Sequence, residues 1–141
     1  MKYTQVLTFF CIIYALLLIN MELAAQEPRE FEHKDGDTTY VMKRYYIGFL
    51  KRVEDKPLMD STKVAQIQQA HLDYMSQNSK DGVLLMAGPF GDDGEIRGIV
   101  IYDVPSLEEA KNIIENDPAV KAGRLSIEVH PWWAAKGSVL K

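Results

Sequence analysis

The chain has 141 residues, with 16 Lys and Arg against 20 Asp and Glu, which gives a formal net charge of −4 at pH 7. This length suits a single domain, and the mild acidity argues against nucleic acid as a partner, because phosphates require a basic face. The single cysteine, Cys11, excludes a fold that depends on disulfide bonds.

The first 25 residues predict an export signal. Lys2 supplies a positive charge, the range 6–19 is almost entirely apolar, and Ala24 and Ala25 offer small residues before a cleavage site. The apolar run is shorter than the ~20 residues that a membrane-spanning helix needs, and an uncleaved N-terminal anchor is the alternative. We therefore expect an exported protein, in the periplasm or outside the cell, with no stable membrane association after cleavage. Residues 26–39 are polar and lack an apolar period, which predicts a mobile spacer.

The next elements are a strand, a helix and a hairpin. Residues 40–53 are apolar at both sets of alternate positions, so neither face of this strand should be exposed to water. Helices can cover one face, and a partner subunit is the simplest candidate to cover the other. Asp60 or Ser61 caps a helix that ends at 81–82, and its apolar stripe includes His71. Residues 83–86 and 96–104 then predict an antiparallel hairpin, with Gly88 and Pro89 ending its first strand.

A shorter helix and a last strand complete the domain, which ends at residue 133 and leaves 134–141 as a tail. Ser106 and Glu109 form a capping box, and Asp117-Pro118 stops the helix and can cap a further turn that closes at Gly123. In the last strand, 124–133, alternation places the apolar Leu125, Ile127, Val129 and Trp133 toward the helices, and Ser126, Glu128, His130 and Trp132 on the other face. The whole order predicts an α+β fold, the ferredoxin-like βαββαβ plan with an antiparallel sheet.

No motif predicts a cofactor or a metal. The glycines at 88–94 lie between two strands, whereas a phosphate-binding loop opens a helix. The histidines at 33, 71 and 130 lie far apart, without cysteine in the mature chain, which does not match a zinc site. On pattern alone, His71 is either a core histidine bonded to a backbone carbonyl or a site residue. Arg97 and Arg124 are either ligands of a substrate carboxylate or solvated strand ends.

Four segments together resemble the YCII-related (YciI-like) family. They are AHLDYM at 70–75, GVLLMAGPF at 82–90, SLEEA at 106–110 and DPAVKAG at 117–123, and the resemblance covers residues 40–133. It implies a ferredoxin-like fold that forms a homodimer as an α+β barrel, and an active-site pair that falls here on His71 and Asp117. The export signal and the spacer depart from a typical cytoplasmic member.

Two functions follow as hypotheses. The first is a small-molecule enzyme, lyase- or isomerase-like, in which His71 and Asp117 transfer protons and the candidate substrate contacts are Arg97, Gly88, Pro89 and Trp132. The alternative is a non-catalytic ligand-binding or interaction domain of the periplasm. The two differ in whether the His71 ring and the Asp117 carboxylate meet and open onto a pocket.

Overall fold

The computed structural model describes residues 28–140, and the predicted export signal at 1–25 lies outside this range. Its elements, in chain order, are β1 Glu30–Asp35, β2 Thr38–Arg52, α1 Ser61–Lys80, β3 Leu84–Pro89, β4 Ile96–Tyr102, α2 Leu107–Glu115, α3 Pro118–Lys121 and β5 Leu125–Ala135. Within the described range, no helix has the length and apolar character needed to cross a membrane.

The strands form one antiparallel sheet in the order β5-β2-β4-β3. β1 pairs with the first residues of β2. Met42 and Lys43 of β2 pair with β1 on one side and with β5 on the other. Since β4 also pairs with β2 on the side opposite β5, β1 and β4 lie along the same edge of β2. This strand order, with α1 between β2 and β3 and α2 between β4 and β5, is the ferredoxin-like arrangement, and the predicted α+β fold is confirmed. Within one chain the described sheet is open rather than closed.

The helices begin and end where the sequence predicts. The side chain of Asp60 accepts a hydrogen bond from the amide of Lys63 at 2.8 Å, and Ser106 Oγ accepts one from the amide of Glu109 at 3.0 Å. These bonds satisfy amides that the first turn of a helix leaves free. Gly82 follows α1 with a φ of 76°, a backbone conformation that residues with a Cβ rarely adopt.

The two faces of the sheet differ in their cover. Tyr46 and Leu50 of β2 are buried with Val100 and Tyr102 of β4, and they pack beneath Ile114 of α2. The opposite face carries the half-buried side chains Ile47, Phe49 and Ile99, which none of the helices among residues 28–140 covers. The prediction that β2 is apolar on both faces is therefore confirmed, because its alternation places Tyr46 and Leu50 on one side and Ile47 and Phe49 on the other.

The structure corrects the prediction of a mobile spacer at 26–39. Its described part contains β1 and the start of β2, which form a hairpin around Gly36. Side chains hold the hairpin to the domain: Phe31 packs edge-on against Trp133, with ring centroids 4.9 Å apart, and Arg29 and Glu30 form ion pairs with Asp103 at 2.5 Å and Lys136 at 2.9 Å. A polar strand forms here because backbone pairing does not require apolar side chains.

The first strand of the central hairpin also differs from its prediction. Gly88 and Pro89 continue β3 rather than ending it. β3 is an edge strand, where a proline can face away from the ladder without losing a hydrogen bond. The pairing even extends past the proline, since the amide of Phe90 donates to the carbonyl of Arg97 at 2.9 Å.

Candidate functional site

His71 lies in the third turn of α1, on the side that faces the sheet. Val64, Ile67 and Met75 share this side, because residues three and four apart on a helix are neighbours. Only 10 % of the His71 side chain is exposed. The helical stripe thus explains why a histidine is held beneath the surface rather than in solvent.

Asp117 is held by the turn that begins α3. Pro118 occupies the first helical position, and the Asp117 side chain caps the turn by accepting a hydrogen bond from the amide of Ala119 at 2.7 Å through Oδ1. Ala119 is itself buried. The capping role predicted for Asp117 is present, and it fixes the carboxylate in one orientation with Oδ2 still available.

The two side chains meet directly. His71 Nδ1 lies 2.6 Å from Asp117 Oδ2, and both groups are buried, with 10 % and 6 % of their side chains exposed. A carboxylate oxygen only accepts hydrogen bonds, so Nδ1 carries the proton of this bond. In the neutral ring, Nε2 therefore holds the free lone pair. No residue among 28–140 hydrogen-bonds to Nε2.

His71 lines a cavity of about 500 Å³ between α1 and the helix-facing side of the sheet. Such a volume suits a small organic molecule. Because Asp117 occupies Nδ1, Nε2 is the ring nitrogen left for a molecule in the cavity. The arrangement offers a proton acceptor of fixed tautomer beside a space that can hold a ligand.

Basic and neutral polar groups surround this pair. The cavity is lined by Lys56, Arg97 and Arg124, and its lining contains no acidic residue. Burial raises the pKa of Tyr102, and the nearby Tyr74 and Asp117 add to the effect, so Tyr102 stays protonated at physiological pH. No group of three His, Cys, Asp or Glu side chains within the described range is arranged to hold a metal ion.

The structure brings most of the predicted site residues together. Gly88, Pro89 and Arg97 line the same cavity as His71. Trp132 does not reach it: the register pairs Trp132 with Tyr45 on the opposite face of the sheet, where their ring centroids lie 6.3 Å apart.

Sequence reasoning did not single out Lys56 as a cavity residue. Lys56 lies in the loop between β2 and α1, and no local pattern marks it. Arg124 was considered as a carboxylate ligand or a solvated strand end, and the structure places it in the cavity lining. Its one sequence signal is its position directly after the 117–123 segment, which also carries Asp117.

The fold and the site define an α+β domain with a buried His–Asp pair beside a cavity of small-molecule size. The model of the YCII-related domain family matches residues 46–133, more than half of the chain, and the chain belongs to this family.

Among solved structures, the chain is similar to 5-chloro-2-hydroxyhydroquinone dehydrochlorinase from Burkholderia phenoliruptrix AC1100, in its complex with 2,5-dihydroxybenzoquinone. The identity is 23 % and the TM-score 0.49, over 62 % of this chain and 92 % of that one. No curated protein matches the chain.

Proposed function

We propose that this YCII-related protein is an exported small-molecule enzyme, lyase- or isomerase-like, in which His71 and Asp117 carry out proton transfer. The observation that carries the proposal is the 2.6 Å contact between His71 Nδ1 and Asp117 Oδ2 beside a cavity that His71 lines. A histidine that only filled the core would need no carboxylate partner and no adjoining space for a ligand.

The proposed reaction begins when Nε2 takes a proton from an acidic C–H bond of the substrate. The electron pair of that bond stays on the substrate, and it either moves a double bond or expels a leaving group. The ring becomes an imidazolium that Asp117 stabilises through the Nδ1–H bond. In an isomerase the same ring returns the proton at another carbon, and in a lyase it protonates the leaving group or solvent.

The test is a ligand screen followed by turnover in matched variants. Small organic compounds that stabilise the purified protein against heat are assayed for conversion with wild-type protein, His71→Gln and His33→Gln. General-base catalysis contributes about 10² to 10⁴ in rate, so His71→Gln should lose that much. His33 is exposed in β1, away from both the cavity lining and the open sheet face, so His33→Gln should retain the wild-type rate.

Full turnover by His71→Gln would reject the catalytic role of this histidine. Compounds that stabilise the protein in the His71 cavity and are never converted would favour the non-catalytic ligand-binding alternative. Both results would reject proton transfer by His71, and neither would reject the cavity as a ligand site.

We further propose a homodimer in which two open sheet faces pack on each other as the α+β barrel that the family resemblance implies. The support is the apolar face formed by Ile47, Phe49 and Ile99, opposite the helices, with Trp132 40 % exposed at its side. A specific dimer buries about 1,200–2,000 Å² in total. Light scattering should give twice the mass of one chain at micromolar concentration, and a monomer would reject the barrel.

Export is proposed from the pattern of the first 25 residues. Protein recovered from the envelope or the medium should begin at or near Gln26 when its N-terminus is sequenced. Recovery of an intact chain that begins at Met1 from the cytosol would reject export without affecting the proposed site.

A further inference from the structure

The cavity beside His71 has a strongly biased charge. Its lining includes the cations Lys56, Arg97 and Arg124 and no Asp or Glu, although the chain as a whole has more acidic than basic residues. A partly enclosed apolar cavity whose lining has cations and no acidic residue attracts anions, because the field is screened less there than at an open surface. The cationic lining of the cavity therefore indicates a ligand with a negative charge.

Arg97 is already engaged by the protein. Its Nη1 donates to the carbonyl of Asp92 and to Asp93 Oδ1, both at 3.1 Å, and it also lies 3.4 Å from the carbonyl of Gly94. These acceptors all belong to the turn between β3 and β4. Arg97 thus holds the turn that borders the cavity through one of its two terminal nitrogens.

Lys56 and Arg124 are in the opposite situation. Neither side chain forms an ion pair or a side-chain hydrogen bond with any residue in the described part of the chain. Both are only partly exposed. An ammonium and a guanidinium that face a cavity without protein partners are the groups that commonly hold a carboxylate.

Backbone packing brings these two cations to the same side of the cavity. Gly123 ends α3 with a φ of 66°, and a Cβ placed on it would lie 3.4 Å from Cδ of Pro57. Lys56 precedes Pro57 and Arg124 follows Gly123, so the contact between the two loops places the backbones of these two residues close together beside the cavity. The segment 117–124 carries Asp117 at one end and Arg124 at the other, so the partner of His71 and the guanidinium are positioned by one short turn.

We propose that the cavity binds a small organic carboxylate whose charged group is held by Arg124 and Lys56, and whose apolar body lies against Ile67 and Met75 beside His71. The inference rests on the proposed function in taking this cavity as the ligand site. It adds the substrate class. A carboxylate near the base also suits proton removal from a neighbouring carbon, since the cations stabilise the negative charge that develops.

The experiment compares probes of matched shape and different charge. Benzoate is titrated against benzamide, and acetate against acetamide, while the His71 ring resonances, assigned with His71→Gln, are followed by NMR in the full protein. A carboxylate should perturb the His71 ring at a concentration at least tenfold lower than its amide does, because charge-assisted hydrogen bonds are about twice as strong as neutral ones.

Two variants locate the effect. Arg124→Gln should abolish the preference for the carboxylate, with binding weakened about tenfold or more. Lys111→Gln removes the same charge from an exposed position on α2 and should leave the preference unchanged. Equal affinity for acid and amide, no perturbation of the ring by any probe, or equal losses in both variants would overturn the inference.

These outcomes are separable from those of the proposed function. An enzyme that depends on His71 and shows no preference for carboxylates would keep the proton-transfer mechanism and lose the anionic substrate. If the protein prefers carboxylates through Arg124 but its turnover does not depend on His71, the anionic substrate is kept and the proton-transfer mechanism is lost.

Discussion

Asp103→Asn should loosen the N-terminal hairpin of β1 and β2 while leaving the rest of the domain folded. The carboxylate of Asp103 joins two cations: Arg29 at 2.5 Å and Lys43 at 2.6 Å. Their side chains are 30 % and 17 % exposed, and that of Asp103 is 23 % exposed. The cluster therefore lies between a surface ion pair and a buried one.

The magnitude follows from that position. An exposed pair contributes about 0–1 kcal/mol, and a hydrogen bond to a charged group contributes about 1.5–3 kcal/mol when it is shielded from water. Asparagine keeps one oxygen acceptor and loses the charge that both cations face. We expect a loss of about 1–2 kcal/mol, which corresponds to about 5- to 30-fold faster exchange of the β1 amides.

The pH dependence has a definite sign. Burial raises the pKa of Asp103, but the hydrogen bonds from Lys43 and Arg29, together with their charges, outweigh burial and lower that pKa overall. The folded-state pKa is therefore below the unfolded value of about 3.9. The stability that Asp103 contributes is fully present above about pH 3.9 and is lost as the pH falls through the folded-state pKa. The hairpin should stay protected at pH 5 as it is at pH 7.

The assay is amide hydrogen exchange resolved by residue, with Asp37→Asn as the matched control. Asp37 lies exposed in the turn between β1 and β2, and its replacement removes the same charge from the same hairpin. Exchange of the β1 amides should accelerate in Asp103→Asn alone. Equal exchange in wild type and Asp103→Asn would mean that the ion pairs do not hold the hairpin, and that backbone pairing suffices.

Two further changes test the packing of the sheet. Gly48→Ala should lower the free energy of unfolding by about 1–3 kcal/mol in denaturant titrations, because the added Cβ would lie 2.7 Å from Cδ1 of the buried Ile114. Gly88→Ala, whose Cβ would meet nothing within 4 Å, should change it by less than about 0.5 kcal/mol. Ile47→Lys places a charge on the open sheet face and should shift the proposed dimer to a monomer in light scattering, whereas Lys111→Gln should not.

The sequence predicts the fold of this chain well because the fold depends on local patterns. Alternation in β2 and β5, the caps at Asp60 and Ser106, and the apolar runs of the hairpin each specify their element within a few residues. β1 could not be predicted in this way. Its residues are mostly charged, and the contacts that hold it, such as Arg29 with Asp103, join positions far apart in the sequence.

The site is less evident from the sequence than the fold is. The helical stripe places His71 on the buried side, but only the family resemblance pairs it with Asp117, 46 positions away. Lys56 and Arg124 both line the cavity, and their neighbours Pro57 and Gly123 pack together, a tertiary contact that no local pattern contains. Trp132 is an aromatic residue of the kind that often contacts a ligand, yet the register of β5 places it on the other face of the sheet.

The proposed function depends on Asp117 setting the tautomer of His71, so that Nε2 presents a lone pair to the cavity. Asp117→Asn tests it, because the single oxygen of asparagine should stay on the buried amide of Ala119, now bonded at 2.7 Å. The amide nitrogen then faces His71 Nδ1 and donates to it, which moves the ring proton to Nε2. A wrong tautomer of this kind costs about 10⁴ in kcat in the serine-protease triad.

The measurement is ¹⁵N NMR of the His71 ring in wild type and Asp117→Asn, above about pH 8, where a free histidine ring is neutral. We expect a proton on Nδ1 and a free lone pair on Nε2 in the wild type, and the reverse in the variant. Asparagine caps a helix about as well as aspartate, so an Asp117 that acted only as a cap, without a hydrogen bond to the ring, would leave the His71 tautomer unchanged. The same tautomer in both proteins, or a proton on Nε2 in the wild type, would show that Asp117 does not set the tautomer of His71.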